Sequence, residues 1–225
     1  KVERVNTGIR GLDEMIEHGF WRGSTTLVAG PTGSGKTIIA LHFIREGVAR
    51  GEPCLYVGLQ ENPSQLFRVM HNFGWNTDQL MNDSNFELLY RSPVEVQLDQ
   101  VATEIFKRVK EGRVKRVVID ALGDLERGAI DRDRFSDFIY SMTQWFARES
   151  VSCLLTYELN NLFNVVGISH NDVSNLSDNV VLLRYDEGVN MKRTLRILKT
   201  RGSAHDNREH EIDITGEGVV IHKGS

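Results

Sequence analysis

Residues 30–37 read GPTGSGKT and match the pattern G-x-x-x-x-G-K-[ST] in full. Few short motifs restrict a fold so strongly. The glycines let successive backbone N–H groups curl around phosphate oxygens, and the helix that must follow points its positive end at them. Lys36 supplies a point charge for the β- and γ-phosphates, and the Thr37 hydroxyl is a ligand for Mg²⁺. The motif works only between a strand and a helix. The apolar run TTLVAG (25–30) precedes it and the amphipathic run KTIIALHFIREGVAR (36–50) follows it. Gly30, Pro31, Thr32, Gly33, Ser34, Gly35, Lys36 and Thr37 are therefore the expected nucleotide phosphate cradle, with ATP and Mg²⁺ as the expected cofactors.

The remaining pattern predicts an α/β fold. Strands are expected at CLYVGL (54–59), FELLY (86–90), RVVID (116–120) and SCLLTYEL (152–159), and helices between them. The first of these helices has Asn62 as N-cap, Pro63 at its first position and an apolar stripe of Leu66, Phe67, Met70 and Phe73. The early strands are uniformly apolar, as parallel strands covered on both faces are. The later runs NVVLLRY, KRTLRILKTRG and HEIDIT alternate more and predict a C-terminal antiparallel extension. The sheet is thus expected to be mostly parallel and flanked by helices, in one domain spanning residues 1–225 with no internal repeat or linker.

Ligands of open α/β sheets sit at the carboxyl ends of the strands. Four acidic or amide residues end strands here: Gln60, Glu61, Asp120 and Glu158. Asp120, at the tip of RVVID, is the expected carboxylate for the metal's water. Gln60-Glu61 is the notable pair. An amide cannot accept a proton at neutral pH and can only orient a nucleophile, which leaves three outcomes: Glu61 takes over as base, Gln60 orients water for slow hydrolysis, or ATP is bound and barely turned over.

Composition excludes some classes. The net charge is −4, from 27 basic and 31 acidic residues, which gives no footprint for bulk nucleic-acid binding. No apolar run approaches the ~20 residues of a membrane span, and no signal-peptide pattern opens the chain. A cytoplasmic location is expected. Cys54 and Cys153 lie in apolar runs and read as small buried hydrophobes. The chain starts at Lys1 rather than Met, as a piece of a longer product would.

Several separate stretches resemble one family. TGIRGLDEMIEHGFWRGSTTLVAGPTGSGKT is similar to the entry of RecA-superfamily ATPases. RVVIDALGDLERG, SDNVVLLRY and TLRILKTRGSAHDNREHEIDITGEGVVI resemble the KaiC branch, the circadian-clock ATPase and autokinase with its relatives. The resemblance covers essentially the whole chain. It implies a RecA-like fold, Mg·ATP, and a homo-oligomeric ring, usually a hexamer, with ATP held between neighbouring subunits. It also implies that Lys199 and Arg201 reach across to the neighbour's γ-phosphate. Period-two alternation in TLRILKTRG supports this, since it puts Leu195, Ile197, Lys199 and Arg201 on one strand face. By the same resemblance His205 lies near phosphate, and Arg193 and Ile214 fall where the family touches adenine, although an acidic partner there is replaced by Gly216.

Two departures matter. The family's strand after the cradle normally ends in two glutamates, and here the first is Gln60. Slow hydrolysis with Glu61 contributing is the expectation. The adjacent Ser and Thr phosphorylated in the clock kinase correspond to Ser174-Asn175, so Ser174 is the single candidate phospho-acceptor. Two other readings compete. One is a recombinase-like DNA-binding ATPase, opposed by the absence of Lys and Arg from Leu159 to Asp178. The other is a nucleotide-gated scaffold without catalysis.

Overall fold

The uniformly apolar runs do form strands of one sheet. The computed structural model describes residues 3–129, 131–159, 172–186 and 191–222, with the side chains of 95, 132, 172 and 173 outside the description. In chain order the elements are β1 (Arg4–Val5), α1 (Arg10–Met15), β2 (Phe20–Trp21), β3 (Thr25–Gly30), α2 (Lys36–Ala49), β4 (Cys54–Gly58), α3 (Pro63–Asn72), α4 (Thr77–Met81), β5 (Phe86–Tyr90), α5 (Leu98–Glu111), β6 (Arg116–Asp120), α6 (Leu122–Arg127), α7 (Arg132–Arg148), β7 (Ser152–Glu158), α8 (Asp172–Leu176), β8 (Asn179–Asp186), β9 (Lys192–Thr200), β10 (His210–Thr215) and β11 (Gly218–His222). The main sheet runs β11-β10-β9-β8-β3-β7-β6-β4-β5, and β1 and β2 form a separate pair.

Strands from β8 to β5 in this order are mutually parallel, and β9, β10 and β11 are added antiparallel. The run NVVLLRY therefore belongs to the parallel block and not to the extension as expected. It pairs in parallel with β3 on one side and antiparallel with β9 on the other. Its place beside the cradle strand requires burial on both faces, which explains its apolar start. The extension instead gains β11, whose GVVIH gave no separate signal after the Thr215–Gly218 turn. The short helices α1, α4, α6 and α8 gave no separate signal either.

Successive strand residues face opposite layers, as the pleat requires. Leu27, Ala29, Leu55, Val57, Val117 and Ile119 pack towards α5, α6 and α7, against Val101, Ile105, Leu125, Ile139 and Met142. Val28, Tyr56, Val118, Leu154 and Val181 pack towards α1, α2 and α3, against Leu12, Ile39, Ile44, Leu66 and Met70. Each fully buried aliphatic side chain contributes roughly 1.5–3 kcal/mol. The start of α3 is held by a capping box: Asn62 Oδ1 accepts from Gln65 N at 3.0 Å and Gln65 Oε1 from Asn62 N at 3.1 Å. That box fixes the chain immediately after Gln60-Glu61.

Arg116 opens β6 at 1% exposure. Its Nε donates to Glu52 Oε2 at 2.5 Å, and Nη1 to the carbonyls of Asn6 and Phe43 at 2.7 and 3.0 Å. Without Arg116 the carbonyls of Asn6 and Phe43 lose their donor, while Glu52 keeps Arg22 as a partner. Arg116→Ala is expected to lower unfolding free energy by about 1–3 kcal/mol, read from denaturant midpoints, without altering the phosphate end of the sheet.

Candidate nucleotide site

The cradle is built where β3 stops. Gly30 is its last residue, Lys36 opens α2, and Gly33 and Gly35 between them have φ of 75° and 108°. Both positive angles favour glycine, and two side chains also pack close to these positions. A Cβ on Gly33 would lie 2.9 Å from the Tyr185 hydroxyl, and one on Gly35 3.3 Å from Ile214 Cδ1. Two straps from the β8–β9 pair reach the loop. Tyr185 Oη donates to Thr32 O at 3.2 Å, and Arg193 Nε donates to Gly33 O at 3.1 Å. The Arg193 guanidinium lies 5.6 Å from the Tyr185 ring centroid. Arg193 and Ile214, expected near the base, thus border the cradle of their own chain.

Lys36 is buried, and Nζ donates to Pro31 O at 2.8 Å. Burial lowers its pKa, opposed by the charges of Glu158 and Asp120. A cation kept this dry gains strongly from an anion placed beside it. The Ser34 hydroxyl is buried with no hydrogen-bond partner among the described residues. An inward-turned hydroxyl, a desolvated ammonium and the start of a 14-residue helix suit an anionic group.

The carboxylates align by strand register. Gly30 is level with Glu158, and Gly58 with Asp120. Asp120 is 5% exposed. Thr37 Oγ1 donates to its Oδ2 at 2.9 Å, Tyr56 Oη to the same oxygen at 2.5 Å, and Thr156 Oγ1 to Oδ1 at 2.5 Å. Glu61 is half-buried, and its Oε2 has no partner among the described residues. Its pKa is raised, first by burial and then by the Asp120 charge. Gln60 next to it is exposed. Thr37, Asp120 and Glu61 therefore converge, while Gln60 stands at the solvent side.

Lys199, Arg201 and His205 do not join this group. Thr26 is level with Asn179, and Asn179 with Thr200. The C-terminal end of β9 is thus level with the beginning of β3, about 13 Å along the strand from Gly30 at ~3.3 Å per residue. The run to Arg201 is also less regular than a simple alternation. Leu195 and Ile197 are buried, but the register shifts between Val180 and Val181. Lys199 Nζ donates to the carbonyls of Ser174 and Ser177 at 3.3 and 2.6 Å. Arg201 Nη1 lies 3.3 Å from Asp178 Oδ1, whose other oxygen accepts from Thr25 N at 2.9 Å. His205 Nδ1 is 2.7 Å from Thr200 Oγ1.

Sequence reasoning missed Tyr56, Thr156 and Tyr185. The only signal for the first two was a polar atom inside an otherwise apolar strand. The loop weighed for DNA contact lies mostly at 160–171, outside the described residues. Among the described residues, no helix is long and apolar enough to cross a membrane.

Comparison with known proteins places the chain as a whole in a family. The family model described as "ATPase: KaiC" matches residues 5–225. The circadian clock protein KaiC3 of Synechocystis sp. is 33% identical over 221 residues, covering 98% of this chain and 44% of that protein. The circadian clock oscillator protein KaiC of Rippkaea orientalis is 28% identical, covering 97% and 42% respectively. The chain thus spans less than half the length of these curated relatives. A crystal structure of a KaiC-like protein from the hyperthermophilic archaeon Pyrococcus horikoshii OT3 superimposes with a TM-score of 0.86 at 27% identity, covering 99% of this chain and all of the other.

Proposed function

This chain belongs to the KaiC family of RecA-like ATPases, and from that premise we propose that it binds Mg·ATP at Gly30–Thr37 and hydrolyses it slowly in a homo-oligomeric ring, each nucleotide shared by two subunits. The observation that carries this reading is the division of the residues between the two ends of the sheet. Lys36, Thr37, Asp120 and Glu61 gather at one end. Lys199, Arg201 and His205 lie at the other, too far to serve the same chain's phosphates. If cations so placed act on a nucleotide, it is a neighbour's, and a closed ring gives every subunit such a neighbour.

The fit to Mg·ATP rests on the dry Lys36 ammonium, the partnerless Ser34 hydroxyl and the Thr37–Asp120 contact. A bound Mg²⁺ supplies charge neutralisation on the phosphate oxygens. The chain's own residues do the rest. Backbone N–H groups of 33–37 and Lys36 hold the phosphates. Asp120 orients the metal's water. Glu61 accepts the proton of the attacking water, and Gln60 orients that water. Lys199 and Arg201 stabilise the γ-phosphoryl charge from the adjacent subunit, with His205 beside them.

A second reading, autophosphorylation, draws on one contact. The carbonyl of Ser174 accepts from Lys199, so the candidate acceptor sits on the edge that would face the neighbour's γ-phosphate. A gain of one phosphate by intact mass, lost in Ser174→Ala, would establish it. A scaffold without catalysis would bind ATP and assemble while single-turnover phosphate release matched buffer. The primary test is Lys36→Ala. It is expected to weaken binding of a fluorescent ATP analogue by at least ~100-fold, the scale of a lost charge-assisted contact of about 3 kcal/mol. Unchanged affinity in that variant overturns the site assignment.

A further inference from the structure

The hydrogen bonds around Asp120 assign a role to a residue that the nucleotide-site motifs do not contain. We infer that Tyr56 is a positioning residue of the metal site, whose buried hydroxyl fixes the Asp120 carboxylate and so determines which of its lone pairs the metal's water shell can use. The inference rests on the Mg·ATP reading above.

An ionised carboxylate offers about four lone-pair directions. Three are taken: Thr37 and Tyr56 donate to Oδ2, and Thr156 donates to Oδ1. The three donors differ in freedom. Tyr56 is 1% exposed and Thr156 0%. Both project from interior strands of the sheet, β4 and β7, that flank β6 on its two sides. Neither hydroxyl can turn to water without leaving its own site. Thr37 is half-exposed in the first turn of α2 and can rotate towards the cradle. When it does, Asp120 keeps two fixed donors, one on each oxygen. The carboxylate plane is then pinned, and one lone pair per oxygen is left for incoming water.

A single pin would leave rotation about the carboxylate's own axis unrestrained. Tyr56 also has a consequence for the base. Burial, and after it Asp120 and then Glu61, raise the pKa of its hydroxyl well above the usual phenol value. A phenol so held stays protonated and remains a donor across the physiological range. The Asp120 carboxylate held this way is in turn one of the influences acting on Glu61.

The test separates orientation of Asp120 from general packing. Wild type and Tyr56→Phe are titrated with a fluorescent ATP analogue in excess EDTA, and then with Mg²⁺ at fixed nucleotide. Tyr56→Phe is expected to leave the EDTA affinity within about 2-fold and to raise the Mg²⁺ midpoint by roughly 3–10-fold, the net worth of one ordinary hydrogen bond. Thr156→Val is expected to act the same way and Thr156→Ser to restore the midpoint, so a poorly folding Tyr56 variant leaves the question answerable. An unmoved or lowered Mg²⁺ midpoint overturns the inference, even if melting temperature falls, because a merely structural hydroxyl would give that pattern. Equal loss in EDTA and in Mg²⁺ overturns it too, since the cradle itself would then be disturbed. Failure of wild type to bind nucleotide at all is a different result and refutes the Mg·ATP reading instead.

Discussion

Arg201→Ala is expected to lower phosphate release at least ~100-fold, and an equal mixture with Lys36→Ala subunits is expected to recover part of the rate that neither variant has alone. The first effect follows from the size of arginine-finger contributions, ~10³–10⁵ in turnover where measured. A lower bound is used here because Lys199 stands beside Arg201 and because the starting rate is slow. The second follows from geometry. Arg201 is at the β3-start end of the sheet, and Lys36 is at the opposite end. A site between subunits that takes its cradle from an Arg201→Ala chain and its cation from a Lys36→Ala chain is complete. Random mixing gives one half times one half, about a quarter, of such sites. Each defective chain alone gives none. Arg201 must leave Asp178 to engage, but that pair is well exposed on the arginine side, and exposed pairs contribute little, typically ~0–1 kcal/mol. Phosphate release by the mixture that stays at the level of the single variants removes the shared-site reading. Wild-type release by Arg201→Ala alone removes the role of Arg201.

The cradle and the acid at the end of β6 were legible in the sequence because their chemistry is local. Residues 30–37 make their own turn, and Asp120 declares itself by ending an apolar strand. Asn62 and Pro63 were legible as a helix start for the same reason, and the capping box with Gln65 is a contact three residues long. What escaped is set by contacts distant in sequence. Tyr56 reads as one more β-former in CLYVGL until β6 is laid beside β4 and Asp120 comes within reach, 64 residues on. Arg116 reads as a strand-start cation, yet its partner Glu52 is equally distant along the chain. NVVLLRY alternates more than the earlier strands and so reads as part of the antiparallel extension. Its neighbour β3 decides its direction, and no period in the strand itself records that neighbour. Lys199 and Arg201 were legible as a cation pair on a strand. Their distance from the chain's own cradle needed the sheet order.

Gln60→Glu is expected to raise the hydrolysis rate at neutral pH by ~10-fold or more, and Glu61→Gln to lower it comparably, a lower bound set beneath the ~10²–10⁴ of a fully positioned general base. The structure gives the second variant a sharper signature. The Glu61 carboxyl is held above its usual range by burial and by Asp120. A base must be deprotonated to act. Wild-type turnover should therefore fall on the acid side at a higher pH than an ordinary carboxylate would give, and in Glu61→Gln that limb should vanish. Stability should move the other way. A carboxyl whose folded pKa is raised binds its proton more tightly in the folded state than in the unfolded one. Below the unfolded pKa it imposes no penalty; the penalty grows as pH rises towards the folded pKa and is complete above it. Removing the charge in Glu61→Gln should thus leave the melting temperature equal or slightly higher at neutral pH, while activity falls. Opposite movement of stability and rate marks a residue kept for chemistry rather than for folding. In Gln60→Glu the added carboxylate is at the exposed position, so it can ionise and accept a proton without desolvation. Turnover of Glu61→Gln equal to wild type, with the acid limb still in place, would assign the base elsewhere. A rise in Gln60→Glu alongside it would put that base at position 60, where the wild-type amide leaves hydrolysis slow.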